Sequence, residues 1–300
     1  MLSGTHSRTA EVTAAIRAFH FRFDEPHVFV DPYAVQLTSP WWRLVCRFAL
    51  LHWLIVRKLL GRLRPVHGWI LARDAITERT LEKFVHGGGR QYILLGAGFD
   101  SIGLRRLPWL EKTTIIEVDH PATQLRKREH FGRLTDVDTS TISTGGHEFV
   151  AVDFERDELS ARLRASSLDT RQPGFFAWPG VIYYLTDSAI KRTLDGIAEI
   201  AAPGSELVFD YLLPEAELPE SERPTRGSAD RYTTRLGERY ISFHSFDDLR
   251  QLLADAGFEV VRNFDVAAIN SELFDSRQDD LTAMPGFGIV LARRVNSPDE

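Results

Sequence analysis

The sequence predicts an α/β protein: a doubly wound, mostly parallel seven-stranded sheet of Rossmann-like class, with an N-terminal helical cap. Three observations predict it. From Gln91 onward, short apolar runs alternate with helical stretches, as in a parallel sheet covered on both faces. The first 86 residues lack that alternation and read as mostly helical. The first apolar run, "YILL", enters the turn Gly96-Ala97-Gly98, where a strand end in such a sheet meets its ligand.

In chain order, residues 10–86 are helical with a turn-rich break at "DEPHVFVDPYA". The apolar stretch "WWRLVCRFALLHWLIVRKLL" is interrupted by Arg43, Arg47, Arg57 and Lys58. Its longest uncharged run, Phe48 to Val56, is about half a membrane-spanning length, so no transmembrane helix is expected. Apolar residues on more than one helical face predict a buried core helix; a helix lying on a membrane surface or a partner is the alternative. "GWILARDAITERTLEKFV" carries Ile70, Leu71, Ile76, Leu81 and Phe84 at near-helical spacing, and "HGGGR" ends it. Strands are expected at 91–95, 113–118, 148–152, 175–178, 206–212, 258–264 and 286–293. Helices such as "PATQLRKREHFGRL", "TDSAIKRTLDGIAEIA" and "SFDDLRQLLADAG" fill most of the gaps. Only a loop rich in Asp and Ser separates the last two strands, which predicts a terminal antiparallel hairpin. The polar segment 214–240, with three prolines, follows strand five; it reads as a lid insertion or as a mobile surface loop. The domain reading is a helical cap over 1–86 and a cofactor-binding α/β domain over 87–300.

Composition narrows the function classes. With 43% apolar and 26% charged residues in a chain of 300, a substantial core is available. A formal net charge of −6 argues against a nucleic-acid binder. Cys46 is the single cysteine, which rules out an intramolecular disulfide and suits a reducing cytoplasm. "MLSGTHSRTAEVTAAIRAFHF" has no secretory core. H-E-x-x-H, paired-cysteine and Walker patterns do not occur, so neither a metal nor nucleotide hydrolysis is expected.

The polar residues that follow each strand form the candidate site. Gly96, Ala97 and Gly98 follow the first strand, and Asp119 follows the second about twenty residues later, where a carboxylate can bond a ribose diol. Asp153 and Phe154 follow the third, suited to an adenine amino group and edge. "WPGVIYYL", with Gly180, Tyr183 and Tyr184, follows the fourth. Taken singly, the glycines also fit a plain tight turn, and Asp119 and Asp153 also fit helix caps. Together they point to adenosine. A dinucleotide would bring its pyrophosphate onto this turn, where the carboxylate of Asp100 would repel it. Arg105 and Arg106 and their neighbours stand where the third glycine of a dinucleotide fingerprint belongs. S-adenosyl-L-methionine, which has no phosphate, fits better.

"RQYILLGAGFDSIGLRRL", "IIEVDHPATQLRKR", "AVDF" and "GVIYYL" resemble the leucine carboxyl methyltransferase family of class I S-adenosylmethionine-dependent methyltransferases. The likeness extends upstream to "TAAIRAF" and "DPYA" and downstream to "GFGIVLARR". It implies that Gly96 gives close backbone approach to the cofactor and that Asp119 holds the ribose. It implies too that Asp153 and Phe154 bracket the adenine, and that Arg73 and Arg17 meet the methionine carboxylate. An arginine fork suits that task; a solvated helix face is the alternative for each. Family members methylate a phosphatase C-terminal carboxylate, or carboxyl or hydroxyl groups of bacterial natural products. One departure stands out: Pro179 replaces the family glutamate that helps hold the cofactor's amino group.

The expected activity is O-methyl transfer to a partly apolar small-molecule acceptor such as a polyketide intermediate; a protein C-terminus, or lost methyl transfer, is the alternative. A carboxylate acceptor needs a cationic or hydrogen-bonding clamp, for which Arg235, Arg239, Tyr183 and Tyr184 are candidates. A hydroxyl acceptor would draw on a base, and His244 or His20 could serve, although a histidine flanked by Phe243 and Phe246 also fits a structural role.

Overall fold

A computed structural model describes residues 8–105, 107–135 and 146–295; Arg106 lies outside the described residues. The described strands form one sheet in the order β3-β2-β1-β4-β5-β7-β6. They are β1 (Gln91–Leu95), β2 (Thr114–Asp119), β3 (His147–Ala151), β4 (Phe175–Trp178), β5 (Glu206–Leu212), β6 (Phe258–Phe264) and β7 (Phe287–Arg294). Strands β1 to β5 are mutually parallel, and β7 runs antiparallel between β5 and β6. The strand order reverses at β1, whose neighbours are β2 and β4. That is the topological switch point at which an open α/β sheet leaves a crevice.

Burial explains the strand positions. Every residue of β1, β4 and β5 is buried, so these central strands read as largely apolar runs rather than alternating ones. Their helices are α1 (Arg8–Phe23), α2 (Pro40–Arg47), α3 (Ala49–His52), α4 (Arg64–His86), α5 (Ile102–Arg105), α6 (Pro121–Thr135), α7 (Leu159–Arg164), α8 (Asp187–Ile200), α9 (Arg223–Arg235), α10 (Phe246–Asp255) and α11 (Val266–Leu273). Local chemistry sets several starts. The Thr186 hydroxyl caps α8 by accepting from the Ala189 amide, and Ser245 and Asp248 form a reciprocal capping box on α10. Trp69, Leu71, Ala72 and Ile76 of α4 share one core with β1, β4 and β5. A smaller cluster joins Ala15, Ala18 and Phe19 of α1 to Val45, Cys46 and Val56.

Three expectations need correction. The connection between β6 and β7 is not only a loop, because it holds α11, capped by Asp265 and seated through buried Ile269 and Leu273. Those two side chains stand four residues apart, and this short apolar face is masked by the polar residues around it. Segment 214–240 is not a bare loop either: it carries α9, with Arg226, Ala229 and Thr233 buried. Finally, residues 41–60 do not form one core helix. They break at extended Phe48 into α2 and α3, followed by a π-helical turn at Trp53–Leu59. Only Val45, Cys46, His52 and Val56 are buried in this stretch, while large apolar residues such as Leu50 (69% exposed) and Leu59 (77%) face outward. The protein offers packing on one side of the stretch alone.

Candidate active site

The sheet order places the candidate residues in a line. Moving from β3 through β2 and β1 to β4, the strand ends carry Asp153, Asp119, the Gly96–Gly98 turn and Gly180. Neighbouring strands lie ~4.8 Å apart, so the four positions form a continuous row across the switch point.

The turn is built around Asp119. Its Oδ2 accepts the Gly98 amide at 2.5 Å and its Oδ1 accepts the His120 amide at 2.6 Å, while the Gly96 and Ala97 amides both reach the Val118 carbonyl. Gly96 and Gly98 have left-handed φ of 71° and 47°. A Cβ on Gly96 would lie 2.2 Å from a Val181 methyl, so the close approach this glycine makes in the structure is to the β4 loop. Burial pushes Asp119 up to about 6, against the opposing pull of the Gly98 and His120 amides. Each carboxylate oxygen keeps one lone pair beyond these bonds, which a vicinal diol can use. Asp153 is one quarter exposed and accepts the Glu155 amide at 3.1 Å; Phe154 is buried with its ring 6.1 Å from that of Trp178.

Both arginines are buried, which removes the solvated-face alternative. Arg17 donates to Asp31 (2.9 Å), to Asp74 (3.3 Å) and to the Phe99 carbonyl (2.5 Å). Arg73 donates to Asp74 (3.3 Å) and to the Tyr183 hydroxyl (3.2 Å), with Asp210 at 3.8 Å. Two cations thus converge on one carboxylate, Asp74, at the β1/β4 end of the row. Asp31 also accepts the Ser101 hydroxyl at 2.6 Å and so ties the "DPYA" turn to the glycine loop. Asp100 accepts the Ile102 amide at 2.7 Å; burial would raise its pKa, but Arg17, Arg105 and Lys127 outweigh burial and hold it low.

Carboxylates at the β2 and β3 ends and arginines at the β1/β4 end match a nucleoside joined to an amino acid. The comparisons agree. Residues 10–198 match the leucine carboxyl methyltransferase family. The chain belongs to that family. It is 27% identical to YktD of Bacillus subtilis strain 168, named as a candidate S-adenosyl-L-methionine-dependent methyltransferase, over 94% of this chain and 96% of that one. A relative from Mycobacterium ulcerans with the same description is 31% identical, over 68% of this chain and 63% of its own. Among solved structures, a DUF574 family protein from Streptomyces avermitilis superposes with a TM-score of 0.62 at 14% identity, covering 96% of this chain and 98% of that one. A candidate methyltransferase from Thermobifida fusca gives 0.60 at 15%, covering 98% and 97%. At these identities the two structures speak for the fold alone. The family cofactor is S-adenosyl-L-methionine, and the donor set described above fits it. No group of three or more His, Cys, Asp or Glu suited to a metal occurs among the described residues.

Gly180 has φ 75°, and a Cβ there would lie 2.3 Å from the Arg73 guanidinium; its amide donates to Asp210 at 2.5 Å. Gly180→Ala is therefore expected to lose ~1–2 kcal/mol of stability from backbone strain, and to weaken S-adenosylhomocysteine binding by displacing Arg73. Thermal melting and calorimetric titration would check both; wild-type affinity in the variant would count against Arg73 as a cofactor ligand.

The acceptor-side expectations fare unevenly. Tyr183 is buried, with its hydroxyl between Arg73 and Asp210. Burial, reinforced by Asp210, raises its pKa well above 10.0. Tyr184 is half-buried and packs against Tyr183 and Tyr240, at ring distances of 4.9 and 5.3 Å. His244 is not with them: its Nε2 lies 3.4 Å from exposed Asp187, and its amide bonds the Leu212 carbonyl. His20 is fully buried against Asp24 and the Val28 amide. Arg235 and Arg239 are exposed, so the expected clamp is not formed by them. Arg235 is the last residue of α9, and Arg239 lies in the segment that follows it.

The arginine of that segment which faces inward is Arg226, which no local sequence pattern distinguishes from its neighbours. It is 3% exposed, bonds Asp230 and the Leu213 carbonyl, and lies 5.1–6.0 Å from the rings of Phe243, Phe287 and Tyr240. Asp74 and Asp210 were also missed. The signal for Asp210 was available: a lone carboxylate inside the apolar run "LVFDYLL" must have buried partners. Those partners are the Trp69 indole, the Gly180 amide and the Tyr183 hydroxyl.

Proposed function

We propose that the protein is an S-adenosylmethionine-dependent O-methyltransferase that esterifies the carboxylate of a partly apolar small molecule, such as a natural-product intermediate. The observation that supports a carboxylate acceptor is the buried guanidinium of Arg226 beside the Tyr240 ring, with His20 and His244, the two candidate bases, engaged elsewhere. A small apolar cleft, partly open to solvent, lies between α1, the 42–63 segment, α4 and α9; Ile16, Phe19, Trp42, Val56, Tyr232 and the imidazole of His67 are among its walls.

When bound, the cofactor supplies an electrophilic methyl group on a sulfonium. Asp119 and the glycine turn would fix its nucleoside, and Arg73 and Arg17 its carboxylate. With Pro179 in place of the family glutamate, no side chain at that position can accept from the cofactor's amino group; nearby Asp74 supports that contact instead. The protein's remaining work is alignment and exclusion of water, because an acceptor carboxylate is ionised at neutral pH and its oxygen lone pair needs no base. Arg226 and the Tyr183–Tyr184–Tyr240 cluster are suited to hold that carboxylate. Their buried setting strengthens each charge-assisted bond.

Mass spectrometry of products from a panel of carboxylic acids and phenols tests the reading. Methyl esters are expected, with a rate nearly flat from about pH 6.5 to 8 because the acceptor stays ionised there. Methyl ethers formed with a rate that climbs across that range would instead assign a hydroxyl acceptor and a titrating base.

A further inference from the structure

We propose that the outward face of residues 40–63 is a docking surface for anionic lipid membranes. The face is apolar and open. Trp41 is 52% exposed, Phe48 50%, Leu50 69%, Trp53 47%, Leu54 48% and Leu59 77%. Single exposed apolar residues are ordinary on a soluble protein, but six large ones within twenty residues mark an interaction surface. Nor is the segment loose. Val45, Cys46 and Val56 pack on Ala15, Ala18 and Phe19 of α1, and His52 stacks on Phe23 with ring centroids 4.1 Å apart. The outward side chains are thus presented on an anchored element.

Charge selects the occupant. The chain carries a net −6, yet no acidic residue occurs between Asp31 and Asp74, where Arg43, Arg47, Arg57, Lys58, Arg62, Arg64 and Arg73 stand. Arg57 and Arg64 are neutralised by Asp24, Asp279 and Asp280. Arg43, Arg47, Lys58 and Arg62 are exposed. Arg43 donates to the Thr38 and Gln36 carbonyls, and among the described residues it forms no ion pair. Two of the cations stand over the apolar groups themselves: Lys58 Nζ lies 5.0 Å from the centre of the Trp53 ring, and the Arg47 guanidinium 5.7 Å from that of Phe48. Aromatic rings and cations at one level, with aliphatic side chains beside them, match the boundary between headgroups and acyl chains. A second copy of the chain is the poorer occupant. In a two-fold dimer the same patch meets itself, which would bring these cations against their own copies.

The test is co-sedimentation of the full-length protein with phosphatidylcholine vesicles containing or lacking phosphatidylglycerol. Binding is expected to the anionic vesicles alone and to fade with added salt. The triple variant Arg47→Gln, Lys58→Gln, Arg62→Gln should weaken it ~100-fold, about fivefold for each cation removed. A second variant, Trp53→Ser with Leu59→Ser, should abolish it. These side chains are outward-facing, so melting temperature and S-adenosylhomocysteine affinity should stay at wild-type values in both, which separates this surface from the cofactor site. No binding to anionic vesicles, or equal binding to neutral ones, overturns the proposal. So does concentration-dependent self-association that the Trp53→Ser, Leu59→Ser variant removes without any vesicle binding.

Discussion

Arg73→Met is expected to lower folding stability by ~3–5 kcal/mol, the range for removing one partner of a buried charge pair. The guanidinium is shared between Asp74, Asp210 and the Tyr183 hydroxyl, and methionine would fill much of its volume while leaving both carboxylates short of a cation. Denaturant titration would measure the loss. The cofactor consequence is separable by choice of ligand. S-adenosylhomocysteine carries the amino-acid carboxylate assigned to Arg73; 5′-methylthioadenosine lacks it. In a variant kept folded at low temperature, binding of the first should weaken and binding of the second should not. Arg73→Lys keeps the charge and loses the planar fork, so it should recover part of the stability and little of the ligand discrimination. Equal weakening of both ligands would move Arg73 from ligand contact to scaffold.

Asp119→Ala should weaken both ligands, by ~1–3 kcal/mol, because the ribose is common to them and hydrogen bonds to a charged group are lost. Acidity gives a sharper test. The carboxylate sits at about 6 in the folded protein against an ordinary 3.8, because burial disfavours its charge. The folded state therefore holds this proton more tightly than the unfolded chain. The group's contribution to fold stability is present below 3.8 and lost as pH rises through about 6. Ribose hydroxyls donate to the ionised form, so cofactor affinity should run the other way and rise through the same pH. Calorimetric titration between pH 5 and 8 would register that opposite slope, and Asp119→Asn, which cannot titrate, should flatten it. A slope that survives in Asp119→Asn would assign the pH dependence to another group.

The central strands β1, β4 and β5 were legible because burial on both faces demands largely apolar runs, and β1 to β7 all fall within a residue or two of the expected positions. The β1 turn was legible for a related reason: left-handed backbone at Gly96 and Gly98 leaves few other residues to choose from. Segments whose partners are distant in sequence were less so. Arg226 and Arg235 both lie on the helix α9, nine residues apart, and nothing local distinguishes the one that turns inward beneath Tyr240 and Phe287 from the one that faces solvent. His244 lies in an aromatic setting that suits a base as well as a brace. Its neighbours Asp187 and Leu212 come from α8 and β5, and only their approach fixes where it stands.

Sequence by itself determined the sheet, the order of functional turns along it and the class of cofactor, since each depends on local pattern or on residues that follow a strand directly. Tertiary structure alone decided which charges meet. It joined Arg17 and Arg73 through Asp74, set Asp210 beneath Gly180, and left the basic, apolar face of residues 40–63 uncovered. The physical reason is range: hydrophobic periodicity is written every two to four residues, whereas a buried ion pair exists only once separate elements have packed and excluded the water between them.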